Sequence, residues 1–237
     1  MQFDNPIRFL ARVFYQSRNQ PKIGADVIRA IASDLGVDQL NTVEGRNINL
    51  NAGTVATVPQ WISPPWFLTR TPESIDLEYK HAPKDHFSFS DFAKRATTVL
   101  ARVAEDGNGK AKRMACIEEG LITRLDPEAL EALGSRLINP PAALANPFEW
   151  DWRAATRREI QLEGGREALN VVVTLKRVQG QINTLDFDGI YVQSDCNTSG
   201  ANAVDRFSKQ GVEEFFAESS TWFSELGLGV TQLMGDA

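Results

Sequence analysis

Apolar residues recur with a period that changes from segment to segment, and the changes predict a mixture of strands and helices. Ile7 to Tyr15 (IRFLARVFY) is rich in aromatic and β-branched residues and predicts a strand. Ile23, Val27, Ile28, Ile31 and Leu35 then recur at helical spacing, with Gly36 as the stop. Arg46 to Val58 is short, polar and β-branched, and Gly53 divides two candidate strands. Ile75 to Lys80 alternates as a half-buried strand does. Ser90 or Asp91 caps a helix with the buried stripe Phe92, Ala96, Val99, Leu100 and Val103, ended by Gly107-Asn108-Gly109.

The order then repeats. Arg113 to Arg124 predicts a strand. Asp126-Pro127 supplies an N-cap with proline at the first helical position, and Leu125 and Leu130 sit where a hydrophobic staple places them. That helix runs to about Ile138, before Pro140-Pro141. Three strands follow, Phe148–Leu162, Ala168–Val178 and Ile182–Val192, with turns at Gly164-Gly165 and Gly180. A loop from Ser194 to Gly200 leads to a final helix, capped by Asn202. Its apolar stripe is Val204, Phe207, Val212, Phe215, Phe216, Trp222, Phe223 and Leu226.

Short turns between successive strands require antiparallel pairing, and one apolar face per helix must pack on a sheet. The predicted class is α+β. It has two related lobes, residues 1–109 and 110–237, each ordered strand, helix, several antiparallel strands, long helix, as an internal duplication gives. This order resembles the two-lobed saddle of TATA-box-binding-like domains, a likeness of topology that carries no function.

Phe3-Asp4-Asn5-Pro6-Ile7 leading into an apolar strand resembles the opening of a sporadically distributed, uncharacterised bacterial family. The central Arg-led strand, Arg113 to Leu125, and the aromatic C-terminal helix, Phe207 to Phe223, are similar to that family as well. The chain departs from it in having one proline at the opening and a central strand without Tyr-Ile-Asn character. The resemblance implies no enzyme activity and no cofactor. It implies an accessory protein of the variable bacterial genome, where antiviral defence and mobile-element genes collect.

Composition narrows the partners. The 237 residues are 42% hydrophobic and 24% charged, ordinary for a soluble globular chain with a real core. A formal charge of −6 disfavours nucleic acid and anionic membrane, which need a basic face. Two cysteines make neither a disulfide framework nor a cysteine zinc site. Cys116, in an apolar run, is expected in the core, and Cys196, in a polar loop, exposed. The opening Met1-Gln2-Phe3-Asp4-Asn5-Pro6 has no signal-peptide character, and no apolar run reaches the ~20 residues that span a bilayer. The expected compartment is the cytoplasm.

Candidate chemistry is sparse. His81 and His86, with Asp85 between, are expected as solvated loop histidines, because Pro83 excludes a helical zinc face. No Gly-x-Ser-x-Gly elbow marks a nucleophile. Gly107-Asn108-Gly109-Lys110 lacks phosphate-loop spacing. Asp186 and Asp188 share one side of a strand and suit Mg²⁺. They are expected to face water while Leu185, Phe187 and Tyr191 face the core. Glu78 and Lys80 have the spacing of metal-dependent nucleases, with Asp38 the nearest upstream aspartate. No catalytic residue, metal ligand or cofactor is therefore assigned.

Two features suit binding. Pro59 to Leu68 carries Trp61, Trp66 and Phe67 among three prolines, and reads as an edge or strap that either docks a partner or packs on the sheet. Trp150 and Trp152 share a strand face and are expected to pack. Arg153, Arg157 and Arg158, with Arg166, Lys176 and Arg177 and interspersed Glu159, Glu163 and Glu167, make the second sheet locally basic against an acidic C-terminal segment. This pattern reads either as a salt-bridged fold, the favoured reading, or as a docking face for nucleic acid on the basic side. The leading expectation is a non-catalytic protein-binding component (adaptor, regulator or immunity-type partner) of a bacterial complex. The alternatives are a metal-dependent nuclease using Glu78 and Lys80 or Asp186 and Asp188, and a small-molecule sensor with a pocket between the lobes.

Overall fold

The computed structural model describes residues 3–16, 19–49, 53–82, 85–106, 110–139, 141–144, 147–182, 184–201 and 204–235. The chain runs β1 (Asn5–Phe14), α1 (Ala25–Leu35), β2 (Asn41–Asn49), β3 (Thr54–Ser63), β4 (Trp66–Arg70), β5 (Ser74–Lys80) and α2 (Phe89–Asp106). It continues through β6 (Arg113–Ile122), α3 (Pro127–Ile138), β7 (Trp150–Leu162), β8 (Gly165–Ile182), β9 (Leu185–Thr198) and α4 (Lys209–Gly235). The strands form one nine-stranded sheet, ordered β2-β3-β4-β5-β1-β6-β9-β8-β7, with antiparallel neighbours throughout. The class is α+β. Both halves follow the order strand, helix, antiparallel strands, helix, with four strands in the first run and three in the second. The sheet crosses the 109/110 boundary without a break, because β1 pairs with β6.

Local signals set the element ends. Gly36 adopts the left-handed conformation (φ 70°) and donates its N–H back to Ala32 and Ser33, ending α1. Asp126 accepts the Ala129 N–H at 2.8 Å at the start of α3. For α2 the cap is Ser88, not Ser90 or Asp91. Its hydroxyl accepts the Asp91 N–H at 3.1 Å and donates to the Asp91 carboxylate at 2.7 Å. At the opening, Asp4 accepts the N–H groups of Thr123 and Arg124, tying the chain start to the end of β6. The Phe3 ring lies against Gly120, where any Cβ would fall 2.3 Å from it. The expected terminator Gly107-Asn108-Gly109 and the expected cap Asn202 lie outside the described residues.

Period-two alternation gives the sheet one apolar face. In register, Phe9, Ala11 and Val13 stand beside Tyr79, Leu77 and Ile75 on one side and Glu118, Cys116 and Met114 on the other. The row continues outward to Trp66, Leu68 and Trp61, and to Cys196, Val192, Val171 and Leu175. All four helices pack on this face. The main core joins it to Ile31 and Leu35 of α1, Phe92, Ala96, Val99 and Leu100 of α2, and Phe215, Phe216 and Phe223 of α4. A smaller core gathers Leu130 and Leu133 of α3 with Ile122, Trp150, Leu175, Ile190 and Val230. Phe89 stacks on Phe223 at 4.1 Å, locking the helices of the two halves together.

Several expectations change. Ser194 to Thr198 is strand rather than loop, and Cys196 is buried opposite Cys116 instead of exposed. The alternation explains this, since Ser194, Cys196 and Thr198 point to the helices while Asp195 and Asn197 point away. Gly180 lies inside β8 opposite Phe187, and the turn falls between Ile182 and Leu185. That hairpin end extends past the core, so Leu185 is 73% exposed rather than inward. Val204 precedes α4 and is exposed, whereas Phe207 is buried and bridges to Ala111. Pro59 sits in β3, an interior strand. It is tolerated because β4 pairs with β3 only from Gln60 onward, leaving Pro59 a ladder partner on one side alone. Pro64 and Pro65 fill the β3–β4 turn.

Phe92 is fully buried where the first half of the sheet, α2 and Trp66 converge. Phe92→Ala is expected to cost about 3–5 kcal/mol of unfolding free energy, read from the urea midpoint.

Candidate functional site

Among the described residues, the same alternation leaves the opposite face of the sheet with no helix on it. Its central strands present Arg8, Leu10 and Arg12 of β1, Asp76, Glu78 and Lys80 of β5, and Ala115, Ile117 and Glu119 of β6. Beyond them come Tyr191, Gln193, Asp195 and Asn197 of β9, then Asn170, Val172, Thr174 and Lys176 of β8. Phe67, Ile62 and Gln60 extend the face on the other side. An uncovered sheet face must be polar to stay single, and this one is polar in a connected way.

Arg8 grips Glu119 through both oxygens at 2.8 Å and reaches Glu78 at 3.1 Å, so one guanidinium staples β5, β1 and β6. Arg12 makes a bidentate pair with Asp76. Gln193 adds a hydrogen bond to Glu119 at 2.8 Å. A second chain runs outward, in which Arg157 donates to Asn170, Asn170 to Asn197 and Asn197 to Asp195. Asp76, Glu119, Thr174 and Asn197 are all under 9% exposed although no helix covers them, because neighbouring side chains close over them.

The titrating groups follow from these contacts. Burial alone would raise the Glu119 carboxyl, but the hydrogen bonds from Arg8 and Gln193 outweigh it and hold it below its ordinary value. Tyr191 is pushed up to about 12, first by burial and then by the charge of Glu119. Asp195 is raised, burial exceeding the help of Asn197, Arg113, Arg12 and Arg153. On the helix face, Glu118 is raised to about 7 by burial. Its register neighbour Ser194 has a buried hydroxyl with no partner.

The residues singled out in the sequence scatter over this frame. Trp61 and Trp66 are 8% and 4% exposed and belong to the main core, where Trp66 stacks on Phe92. Phe67 points to the open face, beneath the Lys80 ammonium at 4.4 Å. Arg153 and Arg157 lie on the open face of β7. Arg158 turns to the helix face and pairs with Glu225 at 2.6 Å, so the three do not make one basic face. Glu78 is bound by Arg8 and Lys80. Asp188 is held bidentately by Arg177, and Asp186 bonds Gln181.

His81 is not solvated: its side chain is 1% exposed, packed edge-on against Phe9 at 4.5 Å, with its pKa lowered by burial. Asp85 lies 3.5 Å from it and accepts the Tyr79 hydroxyl, while His86 is exposed. Among the described residues, no three His, Cys, Asp or Glu side chains gather into a metal-binding group. A cleft of about 560 Å³ opens between α1 and the β2–β3 hairpin, lined by Ile28, Arg29, Asp38, Leu40, Thr42 and Trp61. Sequence reasoning missed the open face. Its signal was present in the polar alternates of the strands, Arg8 and Arg12, Asp76 and Glu78, Asp195 and Asn197.

No protein-family description matches the chain, and no curated protein does. Among solved structures, the chain is similar to the di-domain ARO/CYC StfQ from the steffimycin biosynthetic pathway, at 7% identity over 96% of each chain. The TM-score is 0.21, and the likeness says nothing of activity.

Glu118 makes stability depend on pH. Its folded pKa of about 7 lies above the ordinary 4.5, so its neutral form is favoured by folding. That contribution is complete below the unfolded pKa and is lost as pH rises through about 7. Glu118→Gln, which stays neutral, is expected to lose this slope in denaturation curves. Near pH 8 it should exceed the native chain by up to about 3 kcal/mol.

Proposed function

We propose that the chain is a non-catalytic protein-binding component, an adaptor, regulator or immunity-type partner within a bacterial complex of the cytoplasm, and that its partner docks on the open sheet face. The observation carrying this reading is the uncovered face itself, a rigid antiparallel platform whose polar side chains are already held in place. Preorganisation of that kind lowers the ordering cost of association. Its centre also offers the half-buried Ile117 and Val172, which flank Asp195 in one cross-strand row beside the buried Leu10, within a polar surround. Arg8 and Arg12 are neutralised by carboxylates, which favours a protein partner over a polyphosphate. The nuclease reading has less support, since Glu78 and Asp188 are committed to arginines.

The test is affinity capture from host lysate with mass spectrometry, comparing the native chain with Ile117→Lys. A stoichiometric protein bound by the native chain and lost by the folded variant is the expected outcome. A partner that survives Ile117→Lys, or capture of nothing but nucleic acid, would remove the basis for this reading. Trp61→Ala and Trp66→Ala are unsuitable probes, because both rings are core and their loss perturbs folding. The small-molecule alternative rests on the cleft beside α1 rather than on a space between lobes.

A further inference from the structure

Among the described residues, the sheet ends at β7, which pairs with β8 alone and turns a second row of N–H and C=O groups outward over 13 residues. Long exposed edges are normally blunted by proline, a bulge, short length or charged side chains, and of these β7 has only the charges, which are of both signs. β7 has no proline and no glycine, its register with β8 runs unbroken from Trp150↔Arg177 to Leu162↔Gly165, and Arg153 to Glu159 are all exposed. An edge of this length left open suits strand addition.

The side chains of the strand specify what adds. We infer that β7 pairs antiparallel with β7 of a second copy of this chain, about a two-fold axis through Thr156. That register sets Trp150 against Leu162, Asp151 against Gln161, Trp152 against Ile160, Arg153 against Glu159, Ala154 against Arg158 and Ala155 against Arg157. All 13 residues are used, because Thr156 is the midpoint of the strand. Odd residues meet odd ones, so the two sheets continue into each other with their helices on the same side. Arg153 and Glu159 form two symmetry-related ion pairs on the open face. On the helix face the half-buried Trp152 and Ile160 cover each other and Arg158 meets the small Ala154, while on the open face Arg157 meets Ala155.

Neighbouring registers fail. Centring on Ala155 opposes Arg153 to Arg157 and Asp151 to Glu159, like charges in both cases. Centring on Arg157 opposes that residue to itself. No helix overhangs the middle of the strand, since Ala154 and Thr156 on the helix face are exposed. The far edge, β2, is shorter at nine residues and has Gly45 at its centre, a weaker template.

Sedimentation velocity of the full chain at micromolar concentration is expected to give twice the chain mass of 26.3 kDa. R153E and E159R each place like charges opposite one another and should weaken the dimer roughly tenfold or more, whereas R153E/E159R restores it. Circular dichroism and thermal melting establish that each variant is folded. Register is read by cysteine pairing, which the buried Cys116 and Cys196 do not disturb. T156C sits opposite its own mate on the axis and should form an interchain disulfide on mild oxidation. A154C, separated from its mate by four residues or ~13 Å, should not. A native chain that stays monomeric at all concentrations overturns the inference. So does a dimer that ignores both charge reversals, or one cross-linked by A154C and not by T156C.

Discussion

The pairing of β1 with β6 is the constraint on which the rest of the molecule depends. β1 is the first strand made, yet it lies at the centre of the sheet, with β5 on one side and β6 on the other. Each half can close only when its last strand, β5 or β9, returns beside its first. Arg8 secures the junction chemically by holding Glu78 and Glu119 at once, and Asp4 secures it at the end of β6. On the other face, the same ladder aligns Phe9, Ala11 and Val13 with Cys116 and Met114, the floor on which α2 and α4 meet. Contacts of such long sequence separation cost loop entropy before they reward it, so folding has to assemble both halves around this strand.

Two kinds of polar burial follow from the same alternation, with opposite energetics. On the open face, Asp76 and Glu119 lose water and gain bidentate arginines, which fixes strand register and holds the Glu119 carboxyl below its ordinary value. On the helix face, Glu118 loses water with no arginine in compensation, and its carboxyl holds a proton near neutrality. His81 follows the latter course, its imidazole kept neutral against Phe9 and Tyr79. Moving by one residue, from Glu119 to Glu118, therefore exchanges an arginine-paired carboxylate on the open face for a core carboxyl that titrates at about 7. Period two is what makes that difference so sharp.

The parts of the fold legible in the sequence were those written by local chemistry. Gly36, Asp126-Pro127 and Gly164-Gly165 act through backbone conformation and capping within a few residues, and each falls where expected. The misread parts depend on what lies across the sheet. Ser194 to Thr198 looks like loop because its residues other than Cys196 are polar, yet Asp195 and Asn197 line the open face while Ser194 and Thr198 are buried on the helix face. Trp61 and Trp66 look like an exposed strap because their prolines suggest an edge, but β4 is short and lets Pro59 remain. His81 looks solvated beside Pro83 and Lys84, and only tertiary packing puts Phe9 over it. Single residues of chemical interest were visible, whereas their neighbours were not. The open face, assembled from strands far apart in sequence, was not.

Charge pairing on that face also decides what sort of recognition it supports. A surface built to hold phosphate leaves cations uncompensated and gains affinity from released counterions. Here Arg8, Arg12 and Lys176 each carry a carboxylate from an adjacent position, so the long-range field largely cancels. What remains acts at contact distance, through a fixed pattern of amides, hydroxyls and paired charges around Leu10, Ile117 and Val172. Such a surface does little to steer a partner from afar, and its selectivity comes from the cost of leaving any of those groups unmatched. Arg153 differs from the others in standing near Asp195 without closing on it, at the margin where the open face meets the free edge of β7. The edge strand β7, whose outer ladder is unfilled, thus also carries an arginine whose charge is not fully engaged. Both needs are met by the same event, the arrival of another strand.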